Sequence, residues 1–339
     1  MFVVTFLLGH GSCVCVIANY ELVSPQLLGV SSMLLLSTTL ACGCSTVIAS
    51  NPNELVNGLN CLALLKRRID IEFSSYVKNS KSHSNFYWKW TSRGLQLTVV
   101  TFAGIIATFP AAMVVMDVDP FTFTFPLLLP AYSGIGFLVL RFILSFLWLF
   151  ECCRFAAIFY STLFYMFELQ TCYLAALERL PIESRMDVKF FKWYNALRIA
   201  DQSYKGSMSS MIEILMANGF VIFVVCNVIS LNCYHILPIE VYWFAPTLSL
   251  LCVFFIYFLL PLAIESSIKS QQLIFTRSSL RKINLETGVC SKWRWIRKQY
   301  SALRPVTFHC GSRMALEEGV DRTYFAGVFF RTVDGLLLE

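Results

Sequence analysis

Charged residues are scarce in this chain of 339 residues, because Asp, Glu, Lys and Arg together make up only 14% of it. A soluble domain of ordinary composition carries about 25% charged residues. Hydrophobic residues account for 57% of the chain, and the mean hydropathy is +0.63. These values exclude a disordered chain, a basic nucleic-acid-binding domain and a small secreted domain held together by disulfides. The composition therefore indicates a membrane protein.

Catalytic motifs are missing as well. The sequence contains no Gly-rich phosphate loop, no G-x-S-x-G nucleophile elbow and no H-E-x-x-H zinc motif. The four histidines are scattered, and neither the Cys13 and Cys15 pair nor the Cys42 and Cys44 pair has the spacing of a zinc site. We therefore predict that the chain is not an enzyme and uses no cofactor and no metal. A receptor, a channel or a transporter remains.

Long apolar runs are what the chain has in abundance. A bilayer core needs about 20 apolar residues of helix, because no water is present there to satisfy free backbone groups. Five segments reach that length: residues 28–49, 95–116, 121–142, 211–231 and 241–264. Two more are marginal. The apolar run over residues 1–18 is short and is interrupted by two glycines and a histidine. The apolar run over residues 324–338 stops at the chain end.

The positive charges are segregated along the chain. Of the 27 Lys and Arg residues, 25 lie in residues 50–93, 150–210 and 265–322, and the short gaps between the other spans carry none. Basic loops stay in the cytoplasm, so we predict that these three segments and the amino terminus are cytoplasmic. An alternative stays open, in which residues 1–18 are a cleaved signal peptide. It gives six spans instead of seven and leaves the sides of the loops unchanged.

The apolar run that begins at Phe121 continues well beyond one membrane thickness. Treating residues 155–175 as a further span would place the cations of residues 179–205 outside, against the charge distribution. We therefore predict one long helix that leaves the bilayer near Arg141, with Arg141 snorkelling at the cytoplasmic surface. A cytoplasmic helix this apolar must be covered by its own chain or by other subunits, which favours an oligomer.

Three motifs occur in the second half of the chain. Residues 190–231 contain a Tyr-x-x-Leu pattern at Tyr194 and Leu197, and Glu265 is followed by the basic Lys269. Near the end, a glycine and a phenylalanine precede an acidic residue and a leucine pair, at Gly327, Phe329, Asp334, Leu336 and Leu337. These motifs resemble the fifth, sixth and seventh spans of the insect-type gustatory receptors, within the odorant and gustatory seven-transmembrane chemoreceptor superfamily.

The resemblance implies both a fold and a function. The implied fold is an all-α seven-transmembrane helix bundle with a cytoplasmic N-terminus and a long fourth helix that extends into the cytoplasm. Members of the family assemble as homo- or heterotetramers of related receptor subunits around a pore made by their seventh helices. Each subunit has a pocket for a small molecule that opens to the outside. The implied function is a ligand-gated nonselective cation channel that detects tastants at the plasma membrane.

The family's signature late in the seventh span is Thr-Tyr, five hydrophobic residues and Gln-Phe, and this sequence does not contain it. We therefore expect an incomplete seventh helix. The expected domains are spans 1 to 6 in residues 1–265, a basic cytoplasmic anchor segment in residues 266–322 and the start of the seventh span in residues 323–339.

Candidate ligand-binding residues are polar or aromatic side chains in the outer halves of the spans, since small-molecule sites are apolar with a few polar groups. They are Tyr132, Asn227, Trp243 and Thr247. Trp243 also suits an interfacial anchor, and Asn227 an interhelical hydrogen bond. A G-protein-coupled receptor or a small transporter is the alternative function. The sequence does not contain the acidic-Arg-Tyr triplet of G-protein-coupled receptors. It also does not contain the internal repeat that is typical of many transporters.

Overall fold

Helices account for nearly all of the chain in the computed structural model, which describes residues 2–72, 84–128, 134–181, 184–232, 234–285, 298–310, 314–316 and 319–337. The helices are α1 (Phe2–Ala18), α2 (Pro25–Ser50), α3 (Pro52–Glu72), α4 (Ser84–Val115), α5 (Pro120–Leu128), α6 (Ile135–Glu178), α7 (Ser184–Asn232), α8 (Ile239–Tyr242), α9 (Phe244–Leu285) and α10 (Val320–Leu336). Strands β1 (His309–Cys310) and β2 (Met314–Ala315) form a short antiparallel pair.

The predicted all-α membrane fold is confirmed. Five helices are long and apolar enough to cross a bilayer: Pro25–Ser50, Leu95–Val115, Ile135–Glu178, Asp187–Asn232 and Ile239–Ser279. A shorter apolar helix, Phe6–Ala18, accompanies them. The central helix is α7, which packs against α2, α3, α9 and α10, while α6 packs against α2, α3, α4 and α9.

The first helix is an integral part of this bundle, packed against α2, α5 and α6. The residues that interrupt its apolar run make specific contacts. A side chain on Gly9 would overlap the indole ring of Trp148 on α6, so only glycine lets the two helices approach this closely. The Nδ1 atom of His10 lies 3.2 Å from the Thr38 hydroxyl on α2. These contacts favour the interpretation of residues 1–18 as a span.

The predicted span over residues 121–142 is wrong. Pro120–Leu128 form the separate helix α5, and the long helix α6 begins only at Ile135. The helix is interrupted before Ile135, where Gly134 has a φ of +113°, and α5 has its own start at Asp119, whose carboxylate accepts the backbone N–H groups of Phe121 and Thr122 at 3.0 and 3.2 Å. Proline at the first position of a helix completes this signal, because the missing N–H has no partner there in any case.

Arg141 does not snorkel, contrary to expectation. Its side chain is only 3% exposed and forms ion pairs with Asp119 and with Asp117, the second at 2.9 Å. Both aspartates lie in the turn between α4 and α5. We call this the short-loop end of the bundle, formed by residues 19–24, 116–119 and 234–238. Arg141 therefore lies near the start of the long helix at that end, because the two aspartates hold it there.

The long helix itself is confirmed, since α6 continues without a break for 44 residues to Glu178. Its distal half presents buried apolar side chains, including Phe159, Leu163, Phe167 and Leu177. They are covered by other helices of the same chain. The apolar character of this helix therefore does not by itself require another subunit, and the inference of an oligomer loses that support.

A buried polar network organises the opposite end, which we call the anchor end. It comprises the last turns of α6 and α9, the first turns of α7 and residues 298–310. The hydroxyl of Tyr194 donates to the carbonyl of Arg304 at 3.0 Å and lies 2.7 Å from the hydroxyl of Ser270. Ser270 in turn accepts the N–H of Val306 at 2.8 Å. Tyr194 thus ties residues 304–306 to α7 and α9.

A second buried group, Arg277, closes the same end. Its guanidinium donates to the carbonyls of Leu177 and Leu180, at 3.0 and 2.6 Å, where α6 terminates. Helix termini leave such carbonyls without intrahelical partners, so Arg277 satisfies groups that would otherwise be buried alone. Tyr300 donates to Asp187 at 3.1 Å. Burial, and then the nearby Asp187, raises the pKa of Tyr300, which keeps the donated proton in place.

Replacing Gly9 by alanine tests the contact between α1 and α6. We expect Gly9→Ala to destabilise the protein by about 1–3 kcal/mol, because the added methyl group overlaps Trp148. Gly11 is the matched control, since a methyl group there meets no atom within 4 Å. The melting temperatures of the two variants in detergent measure the difference. Equal melting temperatures would show that α1 does not pack on Trp148.

Removing one charge tests the pairing of Arg141. We expect Asp119→Asn to cost about 3 kcal/mol or more in unfolding free energy, because it removes the buried carboxylate while Asn still caps α5. Asp117→Asn should cost less, since the Asp117 side chain is 66% exposed. Asp70→Asn, which breaks the half-exposed pair with Lys66, should change stability by at most about 1 kcal/mol. A thermal melt that ranks Asp70→Asn with Asp119→Asn would contradict this.

Candidate functional site

An apolar cavity, here called the inner cavity, lies where five helices converge. Its walls come from α2, α4, α6, α7 and α9: Ser37, Leu40, Phe102, Ile105, Leu149, Cys152, Cys153, Ala156, Tyr160, Ile222, Phe244, Leu248, Leu251, Cys252 and Phe255. The enclosed volume is about 60 Å³. Ligand pockets in proteins have volumes of about 300–1,000 Å³. A small molecule therefore fits only if some of these side chains move.

Four of the fifteen lining residues of this cavity are aromatic. Tyr160 on α6 stacks on Phe255 on α9 with ring centroids 3.5 Å apart and an interplanar angle of 2°. The Tyr160 hydroxyl makes no hydrogen bond with any residue that the structure describes. It is therefore a polar group, in a mainly apolar lining, that is available to orient a ligand.

A second concavity, the outer groove, lies between α4 and the start of α9 at the short-loop end. It has a volume of about 290 Å³ and is lined by Thr101, Gly104, Ile105, Thr108, Phe109, Glu240, Trp243, Phe244 and Thr247. It shares Ile105 and Phe244 with the inner cavity. Phe109 stacks on Phe244 with centroids 4.0 Å apart at 18°. Phe244 belongs to both linings, so this ring pair lies at the boundary between the groove and the cavity.

A side groove of about 460 Å³ continues from the outer groove along α4 and α9. The two grooves share Thr101 and Thr247. Exposed apolar side chains on the side groove include Leu97, Leu250 and Tyr257. The side groove therefore lies on the outer surface of the bundle, where a membrane protein meets lipid.

The structure brings together two of the four predicted ligand-binding residues. Trp243 and Thr247 both line the outer groove. Asn227 does not join them, because its side-chain oxygen accepts a hydrogen bond of 2.6 Å from Ser249 on α9, the interhelical alternative. Tyr132 falls outside the described residues.

Sequence reasoning missed Tyr160 and Phe255. A helix that leaves the bilayer near Arg141 would put Tyr160 in the cytoplasm, whereas the long apolar helix begins only at Ile135. The aromatic run FAAIFYSTLFYMF around Tyr160 was visible, yet an aromatic residue in an apolar helix is ordinary core packing. Nothing in the sequence shows that it meets Phe255, 95 positions later, across two helices.

The five motif positions in the last helix lie on α10 or directly after it, and α10 packs mainly against α7. Gly327 faces Phe220 of α7, whereas Phe329 is 65% exposed. Asp334 pairs with Arg331 at 3.3 Å on the exposed side. Leu336 is half-buried, and Leu337 is exposed. One face of α10 therefore carries aromatic and charged side chains that the described part of this chain does not cover.

Comparison with known proteins identifies this architecture. The structure of the insect olfactory receptor OR5 from Machilis hrabei in complex with eugenol matches with a TM-score of 0.72. The match covers 99% of this chain and 88% of that chain, at 12% sequence identity. This chain has the fold of an insect olfactory receptor. No protein-family model matches it, and no curated protein matches it in sequence.

The insect olfactory receptor fold here rests on backbone likeness alone. At 12% identity few side chains are shared, so the lining of the inner cavity is this chain's own. Its chemistry follows from Tyr160 and the surrounding rings.

Proposed function

We propose that this chain is a chemosensory receptor subunit of the gustatory type, which acts as a ligand-gated nonselective cation channel and detects small tastants from the extracellular side. The observation that carries the proposal is the fold, which matches an insect olfactory receptor over 99% of this chain. The Tyr194 and Leu197 motif and the motif in α10 support the same superfamily.

The proposed ligand is a small aromatic molecule with one polar group. This chemistry follows from the inner cavity, whose walls are apolar apart from a few groups such as the Tyr160 hydroxyl. Eugenol, the molecule bound by the structural neighbour, is a phenol of this kind. Binding requires the stacked rings of Tyr160 and Phe255 to part, because the cavity now holds only about 60 Å³.

The outer groove is the proposed entrance. Trp243 and Thr247 lie in it, and Phe109 and Phe244 stack at its boundary with the inner cavity. A ligand that displaces this ring pair changes the packing between α4 and α9, and such a difference between two states can couple binding to gating. Tyr132 stays a candidate for the same entrance.

The proposed orientation places the anchor end and the amino terminus in the cytoplasm of a multi-pass plasma-membrane protein. The segregation of 25 of 27 cations supports it. We propose further that four identical or related subunits assemble through α10. Its uncovered face, with Phe329 and Asp334, would then meet the central pore or a neighbouring subunit.

The alternatives remain a G-protein-coupled receptor or a small transporter. The fold match favours the receptor channel over both, because it extends over the whole bundle at a TM-score of 0.72. The packed α1 also favours seven helices over the six that the coupled-receptor alternative needs.

Tyr160→Phe tests the ligand site, with eugenol as the probe. Loss of one hydrogen bond should weaken eugenol binding to the purified chain by about fivefold. Binding of methyleugenol, which lacks the phenolic hydroxyl, should not change. Tyr257→Phe is the matched control, because Tyr257 lies on the exposed side groove. Calorimetry gives the affinities, and currents evoked by external eugenol in expressing cells report gating.

Failure of the wild-type chain to bind eugenol or related aromatic alcohols would contradict the proposed ligand class. Binding without current would leave that class supported and contradict gating. Equal weakening by Tyr257→Phe would remove the inner cavity as the site.

Epitope tags test the orientation. A tag at the amino end and one within residues 286–297 should be labelled only after the cells are permeabilised. A tag beside Tyr234 at the short-loop end should be labelled in intact cells. Labelling of the amino-terminal tag in intact cells would contradict the seven-span receptor channel.

A further inference from the structure

We propose that the anchor end contains a second binding site, for a ligand that carries phosphate groups, in a cavity between α7 and residues 302–309. This anchor cavity is separate from the inner cavity and shares no lining residue with it. Its volume is about 650 Å³, within the range of small-molecule sites.

One wall of the anchor cavity is a single face of α7. Arg198, Asp201, Gln202 and Lys205 line it, with the spacing of three and four residues that places side chains on one side of a helix. The other wall is an extended segment: Ala302, Arg304, Pro305, Val306, Thr307 and His309. Three cations, Arg198, Lys205 and Arg304, thus converge on one cavity from two separate elements.

The cavity brings more cations than carboxylates together among the residues that the structure describes. Within the described residues, Arg198, Lys205 and Arg304 form no ion pair with a carboxylate. Asp201 is the one carboxylate among the lining residues, and it is only 6% exposed, recessed into the wall. Burial and the nearby Lys205 lower the pKa of His309, so this imidazole is neutral at pH 7 and adds no charge. The cavity therefore has an excess of positive charge.

The walls are held in place before any ligand binds. Tyr194 holds the carbonyl of Arg304, and Ser270 holds the N–H of Val306. The Thr307 hydroxyl lies 3.1 Å from Nε2 of His309. A fixed backbone lowers the entropy lost on binding, so the side chains of Arg304 and the opposite Lys205 need only reach across the cavity.

Phosphate is the ligand chemistry that fits these walls. Arginine forks and lysine ammonium groups donate charge-assisted hydrogen bonds to phosphate oxygens. Lys205 lies six residues before the predicted span at 211, which is about 9 Å along a helix. That distance is close to the thickness of the interfacial layer of one leaflet. An anionic lipid headgroup or a soluble phosphate ester can therefore supply the phosphate groups.

The test measures binding to the purified full chain, independently of channel activity. One arm uses nanodiscs of phosphatidylcholine with phosphatidylinositol 4,5-bisphosphate, and a second matches their charge with phosphatidylserine. A third arm uses inositol 1,4,5-trisphosphate with the protein in detergent. The site variant is Lys205→Gln with Arg304→Gln. The matched control, Arg67→Gln with Arg68→Gln, also removes two exposed cations, on α3.

We expect the site variant to weaken binding of the bisphosphate lipid by about tenfold or more and the control by less than about twofold. The melting temperatures of both variants should equal that of the wild type. Weakened binding of inositol trisphosphate as well assigns the site to soluble esters and lipid alike, whereas binding of the lipid alone assigns it to the headgroup.

Three results would overturn the proposal. They are no binding of any probe to the wild type, equal weakening by the control variant, and equal affinity for phosphatidylserine at matched charge. The last result would reduce the effect to general attraction by a basic surface.

Discussion

The ion pair between Arg141 and Asp119 fixes the register of the long helix α6, and much of the structure depends on that register. A guanidinium buried among helices is costly unless it is paired, so α6 must present Arg141 to the turn after α4. From there α6 is a rigid rod. It places Trp148 against Gly9, Tyr160 in the inner cavity and Leu177 beneath Arg277 at the anchor end. A single pairing at one end thus aligns contacts along the whole bundle.

In the inner cavity, the side chains that pack the helices together are also the side chains proposed to contact a ligand. Tyr160 and Phe255 fill the space proposed for a ligand, and Phe109 and Phe244 stack where the outer groove meets that space. A ligand must therefore replace ring contacts with its own. Only a molecule that packs better against the opened state than against the closed one shifts the balance between them.

The two ends of the bundle differ in what holds them. At the short-loop end, charges are paired, as Arg141 is with two aspartates. At the anchor end, hydrogen bonds join separate segments: Tyr194 and Ser270 bind the backbone of residues 304–306, and Arg277 binds the carbonyls at the end of α6. The cations of the anchor cavity form no ion pair with a carboxylate within the described residues.

The sequence alone determined the membrane setting and the all-α class, and its distribution of cations predicts the side on which the basic segments lie. These predictions depend on the length of each apolar run and on the number of Lys and Arg residues in each segment. Both can be counted along consecutive residues. It also predicted that a long helix would extend beyond the bilayer. Trp243 and Thr247 line the same groove because they are four positions apart where α9 begins, and their role in ligand binding stays a prediction.

Only the tertiary structure decided where that long helix begins, what Arg141 pairs with and which side chains enclose the inner cavity. Asp119 with Arg141, and Tyr160 with Phe255, are separated by 22 and 95 positions. An apolar run does not specify which helix each aromatic ring packs against, since any helix face of similar hydrophobicity could bury that ring. The choice is made when the helices pack, where charges must be paired and rings must interdigitate.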